Sequence, residues 1–183
     1  EQETFDYIQT SLLLMNLEGI KEIVLLIDSY GGDIEGALLI CDAIKASNTK
    51  VKVIVFGRCF SIANIIVASV DTSFATPNSV FIFHTPTIET KLPIKNTTPK
   101  LFKGIYEKHE IRKRQFISAI SIKTGLKWVD IEKLIKKGDD GDYMTAQEVL
   151  DIGLIDGIIE SIYELQKINA ISPDLISKHY ATE

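Results

Sequence analysis

Two shortages in the sequence, of cysteine and of long apolar runs, exclude several classes of protein. Cys41 and Cys59 are the only cysteines among 183 residues, which is too few for a disulfide scaffold. Both lie in apolar runs, so we expect small buried side chains in a reducing compartment. Cys59 as a catalytic nucleophile is the minor alternative. The longest apolar helical run, residues 61–70, is too short to span a bilayer. We therefore expect a cytoplasmic protein with no membrane partner.

Basic residues are also in short supply. Lys and Arg number 20 against 25 Asp and Glu, which gives a formal net charge of -5. Nucleic-acid binding needs a basic surface, so no nucleic-acid partner is expected. The acidic stretch "GDDGD" at 138–142 lacks the full ligand pattern of an EF-hand, and no group of His and Cys has metal-ligand spacing. Neither a metal nor another cofactor is expected.

Short apolar runs alternate with helical patterns in the first half of the chain. The runs at 22–28 ("EIVLLID"), 51–56 and 80–83 are typical of buried parallel strands. Helical spacing is found at 1–17, 34–47 and 61–70. We interpret 71–79 ("DTSFATPNS") as a turn. This order of elements predicts an α/β fold with largely parallel strand pairing.

The second half of the chain has a different sequence pattern. Residues 85–99 hold three prolines and little periodicity, which indicates a loop. Residues 101–124 form a long, charged helix, which is either a solvated face or a projection that contacts another subunit. A shorter helix and a final apolar strand follow. We interpret 1–183 as one domain with an uncharacterised tail at 160–183. The chain begins with Glu1 rather than Met, which suggests that an N-terminal segment is missing.

A single hydroxyl lies where a buried strand turns into a buried helix. Ser61 follows Gly57 by four residues in "VFGRCFSIAN". Serine becomes a nucleophile only when a base takes its proton, and the N–H groups at a helix N-terminus stabilise an oxyanion. Ser61 is therefore a candidate nucleophile. The alternative is a helix N-cap, for which serine is a preferred residue.

Two other strand ends carry groups that suit a serine nucleophile. His84 follows the third apolar run, and functional groups of open α/β sheets collect at the carboxyl ends of strands. The other two histidines are expected on the surface. Gly31 and Gly32 in "DSYGGD" let a backbone approach a ligand closely, although the P-loop pattern is absent. The three strand ends together predict a site that contains the glycine pair, Ser61 and His84.

Four stretches resemble the Clp protease proteolytic subunit family and its relatives, which include phage head-maturation proteases. They are "DSYGGDIEGALLICDAI", "FGRCFSIANIIVAS", "ATPNSVFIFHTP" and "YMTAQEVLDIGLID". The family pattern is Ser-Pro-Gly-Gly, then Gly-x-x-x-Ser, then Pro-Asn-Ser with a histidine five residues after that serine. Those places are held here by Ser29-Tyr30-Gly31-Gly32, Gly57 with Ser61, and Pro77-Asn78-Ser79 with His84.

The resemblance implies a crotonase-like α/β spiral of ββα units and a serine endopeptidase that works inside an oligomeric ring. Ser61 would attack the peptide carbonyl, and His84 would be the general base. The N–H groups of Gly32 and Ile62 would form the oxyanion hole. Residues 101–124 would be a projecting handle helix, and the substrates would be peptides or unfolded proteins. The family's N-terminal elements that dock an AAA+ unfoldase are largely without counterpart here, which leaves that partnership open.

The acid of the implied triad has no direct counterpart in the sequence. The family's aspartate lies two residues before the aromatic of its Asp-x-Phe-Met motif, and Gly141 holds that place before Tyr143. Asp139, Asp140 and Asp142 surround it. We favour Asp142 as the acid. The alternative is an acidic turn with no aspartate on the histidine, and such a site would be slower.

The main alternative function is a catalytically weak or inactive structural subunit of a mixed ring. Gly141 favours this alternative, whereas the retention of Ser61 and His84 does not. A crotonase-type acyl-CoA enzyme fits less well, because it does not need a serine–histidine pair. A membrane-associated serine–lysine peptidase fits less well, because it would need a lysine base and a membrane segment.

Overall fold

The chain folds into a mixed α/β structure in which helices pack on a largely parallel sheet. The computed structural model describes residues 2–85 and 98–161. In these ranges the helices are α1 (Gln2–Leu17), α2 (Ile34–Ala46), α3 (Ala63–Ala68), α4 (Pro99–Thr124), α5 (Trp128–Asp139) and α6 (Ala146–Asp151). The strands are β1 (Glu22–Ser29), β2 (Lys50–Phe60), β3 (Thr72–Ala75), β4 (Val80–Ile82), β5 (Met144–Thr145) and β6 (Gly157–Ile158).

Strand β2 organises the sheet because both of its edges are paired. Strand β1 runs parallel along one edge. The other edge is divided, because residues 52–55 of β2 pair with β3 and residues 58–60 pair with β4, both in parallel. Strand β6 pairs parallel with β3, and β5 pairs antiparallel with β4. The carboxyl ends of β1, β2 and β4 therefore lie side by side.

Buried phenylalanines anchor the strand that leads to His84. Phe81 is fully buried in β4, and Phe83, which immediately precedes the histidine, is 1% exposed. Both pack in the main apolar cluster together with Phe116 of α4. Burial of a side chain of this size contributes about 1.5–3 kcal/mol relative to leaving it exposed. The backbone next to His84 is thus fixed by the core.

The predicted order of strands and helices in the first half of the chain is confirmed, with two differences. Strand β2 does not end at Phe56 but continues to Phe60, because Gly57 adopts a φ of +102° within the paired strand. The prediction of a turn at 71–79 is wrong, because Thr72–Ala75 forms β3. Its Ser73 is fully buried and its amide bonds the carboxylate of Asp156 at 2.7 Å, a distant partner that local composition does not reveal.

Helix α4 confirms the predicted long charged helix and shows two different halves. It begins after Thr98, whose hydroxyl caps the amide of Leu101. Its C-terminal part packs in the core through buried side chains that include Phe116. By contrast, Phe102 and Tyr106 near its start are 68% and 62% exposed. The N-terminal half of α4 therefore offers apolar side chains that the described chain does not cover.

Six helices lie within residues 2–85 and 98–161. None of them combines the length and apolar character that crossing a bilayer requires. The predicted loop at 85–99 and the predicted tail at 160–183 fall almost entirely outside the described residues.

Candidate active site

Ser61 occupies a strained turn between β2 and α3. Its φ is +54°, and it is the sole non-glycine residue with a positive φ in the described ranges. This conformation costs an L-residue about 1–2 kcal/mol, and such outliers cluster at functional sites. The Ser61 amide donates a hydrogen bond of 2.8 Å to the carbonyl oxygen of Ile82 in β4. The turn presents a half-buried hydroxyl at the carboxyl edge of the sheet.

Helix capping does not account for Ser61. The N-cap position of α3 is occupied by Ile62, and no side chain makes a capping hydrogen bond there. A capping serine adopts extended backbone angles and accepts a hydrogen bond from an amide two or three residues later. Ser61 has a left-handed conformation instead. The alternative that the serine serves only as a cap is therefore wrong.

The glycine pair packs directly against the Ser61 turn. Gly31 and Gly32 have φ values of +97° and +139°, which an L side chain rarely adopts. A Cβ added to Gly31 would lie 2.8 Å from the Cβ of Ser61 and 2.9 Å from the carbonyl oxygen of Phe60. In the described part of the chain, neither the Gly32 amide nor the Ile62 amide donates a hydrogen bond. The Ile62 nitrogen lies 3.5 Å from the position of a Cβ on Gly31, so the unused Ile62 amide is close to the glycine turn as well as to the serine.

A buried amide side chain also supports the turn. Asn64 is fully buried, and its Nδ2 donates hydrogen bonds to the carbonyl oxygens of Ser61 at 2.9 Å and Ile82 at 2.8 Å. These bonds tie the turn to β4 a second time. Sequence reasoning gave Asn64 no role, although one amide inside the apolar run at 61–70 was the available signal.

His84 follows β4 and bonds through one ring nitrogen to the main chain. Its Nδ1 lies 2.8 Å from the carbonyl oxygen of Thr85. A carbonyl oxygen can only accept, so this contact requires a hydrogen on Nδ1. The neutral ring then keeps a lone pair on Nε2, as a general base for a serine requires. Among the described residues no hydrogen bond joins His84 to Ser61, and catalytic hydrogen bonds often tighten only when substrate binds.

The three candidate aspartates lie in different surroundings. Asp139 accepts hydrogen bonds from the Thr85 amide at 2.7 Å and from the Thr85 hydroxyl at 2.6 Å. Asp140 is exposed. Asp142 lines a cavity of about 390 Å³. Within residues 2–85 and 98–161, none of the three carboxylates bonds the imidazole of His84. The structure thus brings Asp139 to the loop after the histidine rather than to its ring.

An ion pair holds the other side of the glycine turn. The Asp28 carboxylate accepts hydrogen bonds from Nε and Nη2 of Arg58, each at 2.7 Å. Arg58 thereby lowers the pKa of Asp28 to about 2. The guanidinium of Arg58 also lies 4.1 Å from the centre of the Tyr30 ring, and such cation–π contacts are attractive. Tyr30, which stands where the resembled family has proline, is therefore fixed by Arg58 next to Gly31.

Cys59 is a poor candidate for the nucleophile. Its side chain is fully buried, and burial raises the pKa of the Cys59 thiol well above its ordinary value. Because the thiolate is the reactive species, a buried thiol of this kind is inert. The expectation that Cys41 and Cys59 are buried is confirmed, and both are free thiols.

Comparisons with known proteins identify the family. The family model described as Clp protease matches residues 1–162. The chain is 32% identical over 149 residues to an ATP-dependent Clp protease proteolytic subunit 1 of Protochlamydia amoebophila, covering 80% of this chain and 69% of that protein. It is 31% identical over 144 residues to an ATP-dependent Clp protease proteolytic subunit of Ligilactobacillus salivarius, covering 77% and 68%.

A third relative, ATP-dependent Clp protease proteolytic subunit 1 of Chlamydia abortus, is 32% identical over 148 residues, covering 79% of this chain and 73% of that protein. The names of the family and of these relatives support a peptidase. The chain is a member of the Clp protease family, and the resemblance seen in the sequence is confirmed.

Proposed function

We propose that the protein is a serine endopeptidase with Ser61 as the nucleophile and His84 as the general base. The main support for this proposal is the Ser61 turn, whose backbone is strained. The turn is bonded to β4 through Ile82 and packs against Gly31. A strained strand-to-helix turn is a recurrent way to expose a serine hydroxyl. The strand that receives its hydrogen bond also leads to the histidine.

Each step of peptide hydrolysis has a group of this chain to perform it. Ser61 Oγ attacks the scissile carbonyl while Nε2 of His84 takes its proton. The developing oxyanion accepts hydrogen bonds from the free amides of Gly32 and Ile62, and each such donor is worth about 10²–10³ in rate. The imidazolium then protonates the leaving amine, and water attacks the acyl-enzyme by the same route.

Asp142, the acid predicted from the sequence, stays the alternative to the arrangement in which the Thr85 carbonyl accepts the hydrogen bond from Nδ1 of His84. Its carboxylate shares the wall of a cavity with Phe83, the residue that precedes His84. A triad with Asp142 would require its carboxylate to take the Nδ1 hydrogen bond that the Thr85 carbonyl accepts here. In that case Asp142 would stabilise the imidazolium that forms when Ser61 attacks.

We further propose that residues 1–183 form one domain with a crotonase-like spiral fold. Copies of this domain assemble as an oligomeric ring in the cytoplasm, and α4 is the projecting handle helix. The exposure of Phe102 and Tyr106 on α4 supports this assignment, since apolar patches on a surface mark contacts with other chains. The substrates are peptides or unfolded proteins. The words "ATP-dependent" in the names of the relatives support an AAA+ unfoldase as a partner.

The test is hydrolysis of fluorescently labelled casein by the assembled protein. We expect Ser61→Ala and His84→Ala each to reduce the rate by about 10³-fold or more. The matched control is Ser118→Ala in the C-terminal half of α4, outside the site, which should leave the rate unchanged. Equal rates for wild type and Ser61→Ala would contradict the proposal and favour the structural-subunit alternative.

A further inference from the structure

We infer that a main-chain carbonyl, that of Thr85, orients the imidazole of His84, and that Asp139 is the positioning residue that holds this carbonyl in place. The inference rests on the proposed function of Ser61 and His84. It assigns the carboxylate of Asp139 a role through Thr85 rather than on the histidine ring.

The first step is the state of the His84 ring. The 2.8 Å contact between Nδ1 and the Thr85 carbonyl oxygen fixes which nitrogen carries the proton, because the oxygen has no hydrogen to donate. In serine hydrolases the same task, holding the imidazole with Nδ1 protonated and Nε2 free, falls to a carboxylate. Here the carbonyl of Thr85 makes that hydrogen bond.

The second step is what fixes Thr85. Its amide and its hydroxyl both donate to the carboxylate of Asp139, at 2.7 and 2.6 Å. Hydrogen bonds to an ionised acceptor are about twice as strong as neutral ones. Two such bonds hold the amide and the side chain of Thr85. The proline that follows at position 86 restricts the remaining rotation, which directs the Thr85 carbonyl.

The third step is the placement of Asp139 itself. It is the last residue of α5, where a negative charge is unfavourable next to the negative end of the helix dipole. The preceding Gly138 packs on the backbone before His84 so closely that an added Cβ would overlap the carbonyl oxygen of Phe83. The end of α5 is therefore packed tightly against the segment that leads to His84. The carboxylate of Asp139 is unfavourable at the end of a helix, but it bonds Thr85 there.

A positioning role differs measurably from a direct one. A carboxylate bonded to the ring stabilises the imidazolium and raises the histidine pKa, so its removal lowers that pKa. A carboxylate that acts through Thr85 changes mainly the orientation and tautomer of the ring. A misplacement of the ring by about 1 Å can lower the rate by about 100-fold.

The experiment measures the rate at which a fluorophosphonate labels Ser61, together with ¹⁵N NMR of the His84 ring. We expect Asp139→Ala and Thr85→Val to slow labelling by about 10-fold to 100-fold and to convert the Nδ1–H tautomer into a mixture. Thr85→Ser keeps the hydroxyl and should retain the wild-type rate and tautomer. The matched control is Asp140→Ala, which removes the same charge one residue away. If Asp139→Ala does not fold, Asp139→Asn, which keeps one oxygen acceptor, takes its place in the same measurements.

Two results would overturn the inference. One is a wild-type labelling rate and tautomer in Asp139→Ala. The other is loss of labelling with a lowered histidine pKa in Asp142→Asn, which would make Asp142 the direct partner. The failure of the proposed function looks different, because wild type itself would then not be labelled. The tautomer of His84 in wild type and in Asp139→Ala would still test the inference in that case.

Discussion

The amide of Ser61 lies 2.8 Å from the carbonyl oxygen of Ile82 and donates a hydrogen bond to it. This bond extends the pairing of β2 with β4 by one residue beyond Phe60, which is opposite Ile82 in the register. His84 is only two residues further along the same chain segment. The serine and the histidine are therefore placed by two paired strands, and groups on such rigid elements are held more accurately than groups on loops.

The close approach of Gly31 to Ser61 predicts the effect of Gly31→Ala. The new Cβ would lie 2.8 Å from the Cβ of Ser61, so the serine turn or the glycine loop has to move. We expect labelling of Ser61 by a fluorophosphonate to fall by about 100-fold or more, as for a displacement of about 1 Å. Labelling is followed by intact-protein mass spectrometry.

Gly19→Ala separates crowding from backbone strain. Gly19 also has a positive φ, +75°, but no atom lies within 4 Å of an added Cβ. Both variants should lose about 1–2 kcal/mol of stability from the left-handed conformation. Only Gly31→Ala should lose labelling, and equal labelling of the two variants would show that the contact with Ser61 does not matter.

Asn64 is expected to be a stability determinant as well as a support for the serine turn. Asn64→Ala removes two hydrogen bonds to buried carbonyl oxygens, and each is worth about 0.5–1.5 kcal/mol. The loss is partly offset, because Oδ1 of Asn64 has no hydrogen-bond partner in the described chain. We expect a decrease of about 1–2 kcal/mol in the free energy of unfolding in urea. The exposed Asn78 provides the control Asn78→Ala, and a similar loss in both variants would refute this role.

The ion pair of Asp28 with Arg58 predicts a component of acid sensitivity. Folding lowers the pKa of Asp28 from 3.8 to about 2, so the folded state binds this proton less readily than the unfolded state. The stabilisation is present above pH 3.8 and disappears as the pH falls toward about 2. Asp28→Asn should flatten the dependence of the melting temperature on pH in this window. The charge-matched variant Asp42→Asn should keep the wild-type slope, and identical slopes for all three proteins would contradict the prediction.

We expect both cysteine thiols to be unreactive in the native protein. Burial raises the pKa of Cys41 to about 11, and Cys59 is completely buried. A disulfide reagent near neutral pH should therefore modify neither residue until guanidinium unfolds the chain. Rapid modification of Cys59 in the folded protein would contradict this prediction and make Cys59 a candidate nucleophile again.

Ser61, His84 and the glycine pair could be located from the sequence because each follows a short buried strand. Parallel strands place their carboxyl ends at one edge, so composition and order were enough to predict that these strand ends lie side by side. The same reasoning missed β3, since Ser73 is buried through bonds to residues more than 80 positions away. Contacts of such separation leave no mark in a local pattern.

The surroundings of His84 could not be predicted for a related reason. Sequence reasoning placed three aspartates near the histidine and favoured Asp142, but the spacing could not decide the choice, because a shift of one residue in a loop redirects each side chain. The bond between Asp139 and Thr85 depends on how α5 ends against Phe83. That is a matter of packing between elements, which the spacing of residues does not encode.

The most direct test of a Ser61–His84 site is intact-protein mass spectrometry after treatment with a fluorophosphonate. It compares wild type, Ser61→Ala and His84→Ala, with Ser118→Ala as the matched serine control. The account predicts one adduct on wild type and on Ser118→Ala, and none on the two site variants. An assembled, folded wild-type protein that takes up no adduct would contradict the account.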